Sequence, residues 1–300
     1  MYVLPGLMAL TVVACGGSGV PADVLADSLP DSVLDVIALD TADVTADVTA
    51  DVTADVTADV TVEGEMVLIP AGSFWMGCNA AVDPDCNPNE APLHEVTLSE
   101  YYIDKTEVTV AAYGECVIAG SCKAPGIADI DCTWGVAGKE DHPVNCVNWT
   151  QSAAYCAWAG KRLPTEAEWE KAARGDDRRK YPWGNQGATC AYAVMSEGGF
   201  GCGTDSTLPV CSKSPIGDSP YDLCDMAGNV WEWVSDWYDS AYYGSSPGTD
   251  PVGPGSGSKR GIRGGCFHND SSVNFRTSLR DATDPTYYLD LIGFRCVKTQ

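Results

Sequence analysis

The sequence predicts an α+β domain over residues 63–300, loop-rich and braced by disulfides. Three observations carry the prediction. Two capped helical segments sit mid-chain, short β-rich runs lie at both ends, and cysteines recur from Cys78 to Cys296 among Gly- and Pro-rich connections. The chain has 14 cysteines, no CxxC pair and only three histidines, which argues for an oxidising compartment and against a zinc knuckle.

Residues 65–77, largely apolar on either side of Pro70-Ala71-Gly72, read as a hairpin. Cys78 and Cys86 bracket a polar loop. Residues 95–104 alternate and read as one strand. A helix follows over 106–119 with Thr106 as N-cap, and Cys116 and Cys122 flank its end. Thr150 caps an Ala-rich helix stopped at Gly160. Thr165 caps the next, with Glu168 completing a capping box and Gly175 ending it. Residues 244–258 are Gly/Ser/Pro loop, and 260–265 and 291–296 read as short closing strands, each with an arginine.

Ahead of this domain lie two segments of different character. Residues 1–15 form a short apolar run ending Thr11-Val-Val-Ala-Cys15, too short to span a bilayer as a mature helix. Small residues before a cysteine resemble a bacterial lipoprotein signal, with Cys15 lipidated and anchoring the protein to a membrane. No Lys or Arg precedes the apolar run, a departure from the export pattern, and an ordinary secretory signal cleaved nearby is the alternative to lipidation. Both lead to the periplasmic or cell-surface side. Residues 16–62 carry ten Asp and no basic residue, with five tandem Thr-Ala-Asp-Val copies over 41–60. Like charges would stack at i,i+4 on a helix, so the segment reads as an extended acidic tether, spanning roughly 40 Å as a coil.

The formal charge of −24 excludes nucleic acid as a partner, because phosphates demand Lys/Arg neutralisation. Charge of this sign suits cation binding. The stretch from Leu223 to Trp237 gathers Trp231, Trp233 and Trp237 among Asp225, Glu232 and Asp236. Trp231 and Trp233 share a face on an extended segment, and Glu232 points away from it. The stretch is either a core strand leaving a turn or a loop whose carboxylates and carbonyls hold a cation.

Several segments together resemble the formylglycine-generating enzyme (sulfatase-modifying factor) superfamily. They are Met66–Gly77, Pro143–Trp149, Cys156–Glu170, Tyr181–Asn185, Gly228–Trp233, Arg263–Gly265 and Gly293–Cys296, in family order across the whole domain. The resemblance implies a C-type-lectin-like fold. It also implies a calcium ion held by the Asp225 and Glu232 side chains and the Gly228 and Val230 carbonyls, an all-oxygen set suited to a hard cation. The family's second calcium site has no counterpart around Cys190–Val194.

The family's oxidase converts a cysteine of a sulfatase peptide to formylglycine, using two copper(I)-binding cysteines separated by four residues. The matching segment here, Gly265–Arg280, is two residues shorter. Counting back from Arg276 puts Ser272 and Phe267 at the cysteine positions, and counting forward puts Asn269 at the first. Copper is therefore not expected, since a soft metal needs two soft sulfurs. The iron-dependent sulfoxide synthases of the family need a His-rich site on an added domain, and His94, His142 and His268 are scattered.

Sequential pairing gives Cys78–Cys86, Cys116–Cys122, Cys132–Cys146, Cys190–Cys202 and Cys211–Cys224, and the family adds Cys156–Cys296. Cys266 is left over, as a reactive nucleophile or as a buried or misassigned bridge cysteine. Ala173 and Thr277 replace the family's second bridge. The expectation is a lipid-anchored extracytoplasmic protein whose domain is a binding or structural module. Its ligand is an unspecified peptide, protein or glycan, with Tyr242-Tyr243 and Tyr287-Tyr288 as candidate groove residues. Oxidation of protein cysteine, or another activity carried by divergent residues, is the alternative.

Overall fold

The computed structural model describes residues 64–81, 83–126 and 131–299. The expectations on residues 1–63, including lipidated Cys15 and the repeat tether, lie outside them. Among the described residues the domain is α+β, with three small sheets, three helices of nine or ten residues and a few shorter helical turns joined by long irregular segments. Strands β1 (Met66–Ile69), β4 (Tyr101–Asp104) and β9 (Val297–Lys298) form one sheet, in the order β1-β4-β9. Strands β2 (Gly72–Met76) and β3 (His94–Leu98) form a second. The largest has the order β7-β6-β5-β8, from β5 (Trp231–Trp237), β6 (Arg260–Arg263), β7 (Asp281–Thr283) and β8 (Ile292–Gly293).

The hairpin expected over 65–77 does not form. β1 pairs with β4 and β2 with β3, so Pro70-Ala71 is a crossover between sheets. Its flanking carbonyls, Pro70 O and Gly72 O, accept from Lys171 Nζ at 2.7 and 2.9 Å. The single strand expected over 95–104 is also two. At the break, Ser99 donates its main-chain N–H and its hydroxyl to Asp250 instead of to a sheet neighbour.

Helix α1 (Val110–Ile118) starts later than the sequence indicated. Thr109 caps it by accepting from Ala112 N, while the Thr106 hydroxyl donates to the Glu107 carbonyl and is not available as a cap. Helix α2 (Trp149–Trp158) is capped by Asn148 in place of Thr150, in a reciprocal box with Gln151. Helix α3 (Glu166–Arg174) has the expected Thr165/Glu168 box and ends at Gly175.

Strand β5 divides the core. Trp231 and Trp233 enter an aromatic cluster with Tyr113, Tyr155 and Phe294, while Val234 joins Trp169, Ala172 and Phe74 on the other side. Indoles pin the strand and its neighbours. Trp149 Nε1 donates to Val234 O at 2.8 Å, and Trp233 Nε1 donates to Val147 O at 3.0 Å. Glu232 does point away from Trp231 and Trp233, and it is buried too because α3 covers that face.

All nine residues of α3 are buried although five are charged. Each such group has a partner, as burial requires. Glu166 takes the Arg280 guanidinium in two bonds of 2.8 Å. Glu170 accepts from Arg263, from Arg174 and from Gly77 N. Arg174 also donates to the Trp75 and Gly77 carbonyls. Glu168 holds Arg162 through both oxygens. This helix joins the β2–β3 sheet to the β5–β6 sheet through buried ion pairs.

Candidate functional site

After β6 the chain reverses at Gly264 and Gly265, with φ of +97° and +77°. A Cβ on Gly265 would stand 2.7 Å from Asn274 O, so the segment folds back on a glycine. Cys266 follows, buried and free. Its N–H donates to Asn269 Oδ1 at 2.9 Å, and Asn269 N donates to Cys266 O at 3.0 Å, closing a tight turn. Burial pushes the thiol up to about 11, so it is protonated at neutral pH and a weak nucleophile.

No sulfur occupies the positions counted for a copper pair. Phe267 is a core residue, Asn269 makes the turn, and the Ser272 hydroxyl donates to Ala188 O at 3.3 Å. The remaining described cysteines form six disulfides, Cys78–Cys86, Cys116–Cys122, Cys132–Cys146, Cys156–Cys296, Cys190–Cys202 and Cys211–Cys224. Cys266 is the only free cysteine among the described residues. Six bridges suit an oxidising, extracytoplasmic compartment. Among the described residues no helix is long and apolar enough to cross a membrane.

The Asp225–Glu232 stretch is built from irregular backbone. Asp225, Gly228 and Asn229 all have positive φ, and a Cβ on Gly228 would stand 2.6 Å from Val194 O. Gly228 N donates to Gly264 O, Asn229 N to Val194 O, and Phe267 N to Asn229 O, so this loop and the Cys266 segment are stitched together. Asp225 Oδ2 accepts from Cys211 N at 2.6 Å, next to the Cys211–Cys224 bridge.

Glu232 is already engaged. Arg295 donates to it in two bonds of 2.8 Å, and Trp169 Nε1 donates at 2.9 Å. Glu107, which the sequence reading passed over, joins the place from the segment before α1. It accepts from Asn229 Nδ2 at 3.0 Å and from Val230 N at 3.3 Å, both neutral donors. Three buried carboxylates thus surround one buried guanidinium, and Arg295 answers only Glu232 in a bidentate pair. Burial, then the charges of Asp225 and Glu232, hold the Glu107 carboxyl well above its usual range. Burial pushes Asp225 up to about 6, with Glu232 adding to it. Asp225 and Glu107 offer carboxylate oxygens, the donor type a hard divalent cation takes, and their hydrogen-bond partners are neutral N–H groups.

The family model described as the sulfatase-modifying factor enzyme 1-like domain matches residues 52–300. The chain belongs to this family. It is 34% identical over 284 residues to the formylglycine-generating enzyme of Streptomyces coelicolor, covering 77% of this chain and 88% of that protein. Among solved structures, PvdO from Pseudomonas aeruginosa superposes with a TM-score of 0.68 at 28% identity, covering 79% of this chain and 95% of that one. Treponema denticola variable protein 1 gives a TM-score of 0.63 at 26% identity, covering 78% and 95%. The loop-rich, disulfide-braced α+β fold is that of the sulfatase-modifying factor family.

The candidate groove tyrosines divide. Tyr243 is buried under Arg280, whose guanidinium lies 3.9 Å from its ring centroid, so it belongs to the core. Tyr287 and Tyr288 are exposed, at 53% and 41%.

Proposed function

We propose that this domain is a non-catalytic binding or structural module of an extracytoplasmic, lipid-anchored protein, and that it does not carry out copper-dependent oxidation of cysteine. The observation behind this reading is the state of the cysteines. Twelve are tied in bridges and Cys266 is alone and buried, so a two-thiolate copper site has no second ligand. The anchor is Cys15. The ligand is a peptide, protein or glycan meeting the surface around Tyr287-Tyr288. Calcium bound by the Asp225 and Glu232 side chains and the Gly228 and Val230 carbonyls, with Glu107 beside them, braces the loop. In this reading its role is structural: it neutralises buried acids and fixes a turn.

The 34% identity to a formylglycine-generating enzyme supports a second reading, in which the oxidase activity of that relative is retained by other residues. One assay separates the two. The purified chain is incubated with a sulfatase-type peptide containing Cys-x-Pro-x-Arg, copper and oxygen, and the peptide mass is followed. An unchanged cysteine is expected. Conversion to formylglycine would establish the second reading and overturn the first.

A further inference from the structure

We infer that Asp131, His268 and Asp290 form a binding site for a first-row divalent metal ion, separate from the Asp225 loop and independent of the function proposed above. One ligand atom from each of the three residues lies within 4.8 Å of the other two. His268 Nε2 stands 3.8 Å from Asp131 Oδ2, too far for a hydrogen bond. A zinc-like ion bonds such atoms at about 2.0–2.2 Å, which sets them roughly 3.4 Å apart in a tetrahedral site. Closing the site therefore asks for shifts of about 1 Å, within reach of side-chain torsions.

The imidazole gives the second observation. Its ring is held against Phe200 and Phe267, with centroids 4.0 and 4.2 Å away. Its Nε2 is shielded from solvent and has no hydrogen-bond partner. A buried polar atom without a partner is destabilising, and a metal ion would satisfy it. Facing a carboxylate oxygen, that nitrogen has the chemistry of a metal ligand.

The carboxylates are carried on a prepared frame. Asn145 Nδ2 donates to the main-chain carbonyls of both Asp131 and Asp290, at 2.9 and 2.6 Å. Asn145 Oδ1 in turn accepts from Thr133 N and its hydroxyl. The Cys132–Cys146 bridge lies one residue from Asp131 on one side and from Asn145 on the other. On the histidine's side, Phe267 N donates to Asn229 O and Phe267 O accepts from Gly201 N. Three separate segments thus deliver one ligand each from fixed backbone, the kind of support that metal sites need.

The donor set selects the ion. One imidazole nitrogen with two carboxylates suits Zn(II), Mn(II) or Fe(II) better than calcium, which prefers oxygen alone, or copper(I), which prefers sulfur. Three protein ligands leave positions for water or for an anionic group of a bound ligand. The side chains of His268 and Asp131 are 25% and 28% exposed, so the cluster lies near the surface although His268 Nε2 itself is covered.

Co(II) is the probe. The full chain is stripped with chelator, returned to calcium-containing buffer to satisfy the oxygen site, and titrated with Co(II) by visible absorption, with Zn(II) as competitor. One equivalent with ligand-field bands, displaced by Zn(II), is expected. Asp131→Asn and His268→Leu should each weaken binding tenfold or more, within the range typical of lost ligand support. Glu95→Gln, a change at an exposed strand position, should leave it unchanged. Should Asp131→Asn fail to fold, His268→Leu decides, with its circular dichroism spectrum showing that the fold is intact. Absence of the bands, or equal affinity in His268→Leu and the parent chain, would overturn the inference.

Discussion

Two neighbouring loops of this domain have had different fates. The Asp225–Trp237 stretch and the Gly265–Arg280 segment are joined by the Gly228 N to Gly264 O and Phe267 N to Asn229 O hydrogen bonds. The first is crowded with charge: Glu232 is saturated by Arg295 and Trp169, and Glu107 and Asp225 are left over as buried acids. The second presents a single buried thiol that burial keeps protonated. The difference teaches that this chain keeps the family's frame while the positions counted for its thiol pair hold no sulfur. Buried ion pairs and indole clamps hold the frame, and each needs its partner, so none is dispensable. Reactive sulfur in a short loop contributes little to the frame, and the loop here keeps its turn through Asn269.

The frame's ion pairs should be the most sensitive to mutation. Glu170→Ala leaves Arg263, fully buried, without its main counter-charge. Breaking a buried pair from one side costs about 3–5 kcal/mol, and a domain of this size loses on the order of 10 °C in melting temperature for that. Urea unfolding measures it directly. A loss below about 1 kcal/mol would show that α3 is not the brace described.

Removal of calcium comes next. EDTA should lower the melting temperature by several degrees and added Ca²⁺ should restore it, since a ligand at 100 times its Kd stabilises by about 2.7 kcal/mol. An unchanged midpoint would count against a cation at Asp225.

A smaller effect is expected at the far end of β5. Burial, then the charge of Glu166, pushes the Asp236 carboxyl up to about 7 from 3.8. Its folded-state acid is weaker than its unfolded one, so its contribution is fully present below about pH 4 and is lost as pH rises through 7. Asp236→Asn should therefore gain on the parent chain by a few degrees between pH 5 and pH 8, as thermal melts across that range will show. Parallel pH profiles would contradict the assignment.

The smallest effect concerns Cys266. At pH 7.5 iodoacetamide should label it slowly in the native protein and rapidly in urea, because the thiol is buried and only a minor fraction is thiolate. Prompt native labelling, found by mass mapping, would return it to the list of nucleophiles.

Local signals in the sequence were legible where a few neighbouring residues decide the outcome. The Thr165/Glu168 box and the Gly175 stop define α3, and the spacing of cysteines together with the family resemblance gives all six bridges. Helix starts shifted where a hydroxyl had another use, as with Thr106, or where a neighbouring side chain made the better cap, as with Asn148. Strand partners were less readable. Pro70-Ala71-Gly72 has turn composition, but pairing depended on β4 and β3, both distant in sequence from any local cue. Glu107 shows the same limit at the site. It lies 118 residues before Asp225 in the chain, and only the fold brings its charge beside that carboxylate. Tyr243 read as a surface aromatic because its cover, Arg280, comes from a different segment.

The loss of the thiol pair is tested most directly by copper itself. The native chain is titrated with Cu(I) against a competing chelator, alongside Cys266→Ala. No retained copper, and no difference between the two proteins, is the result predicted for a single buried thiol. One tightly held equivalent of Cu(I), lost on replacing Cys266, would contradict the account.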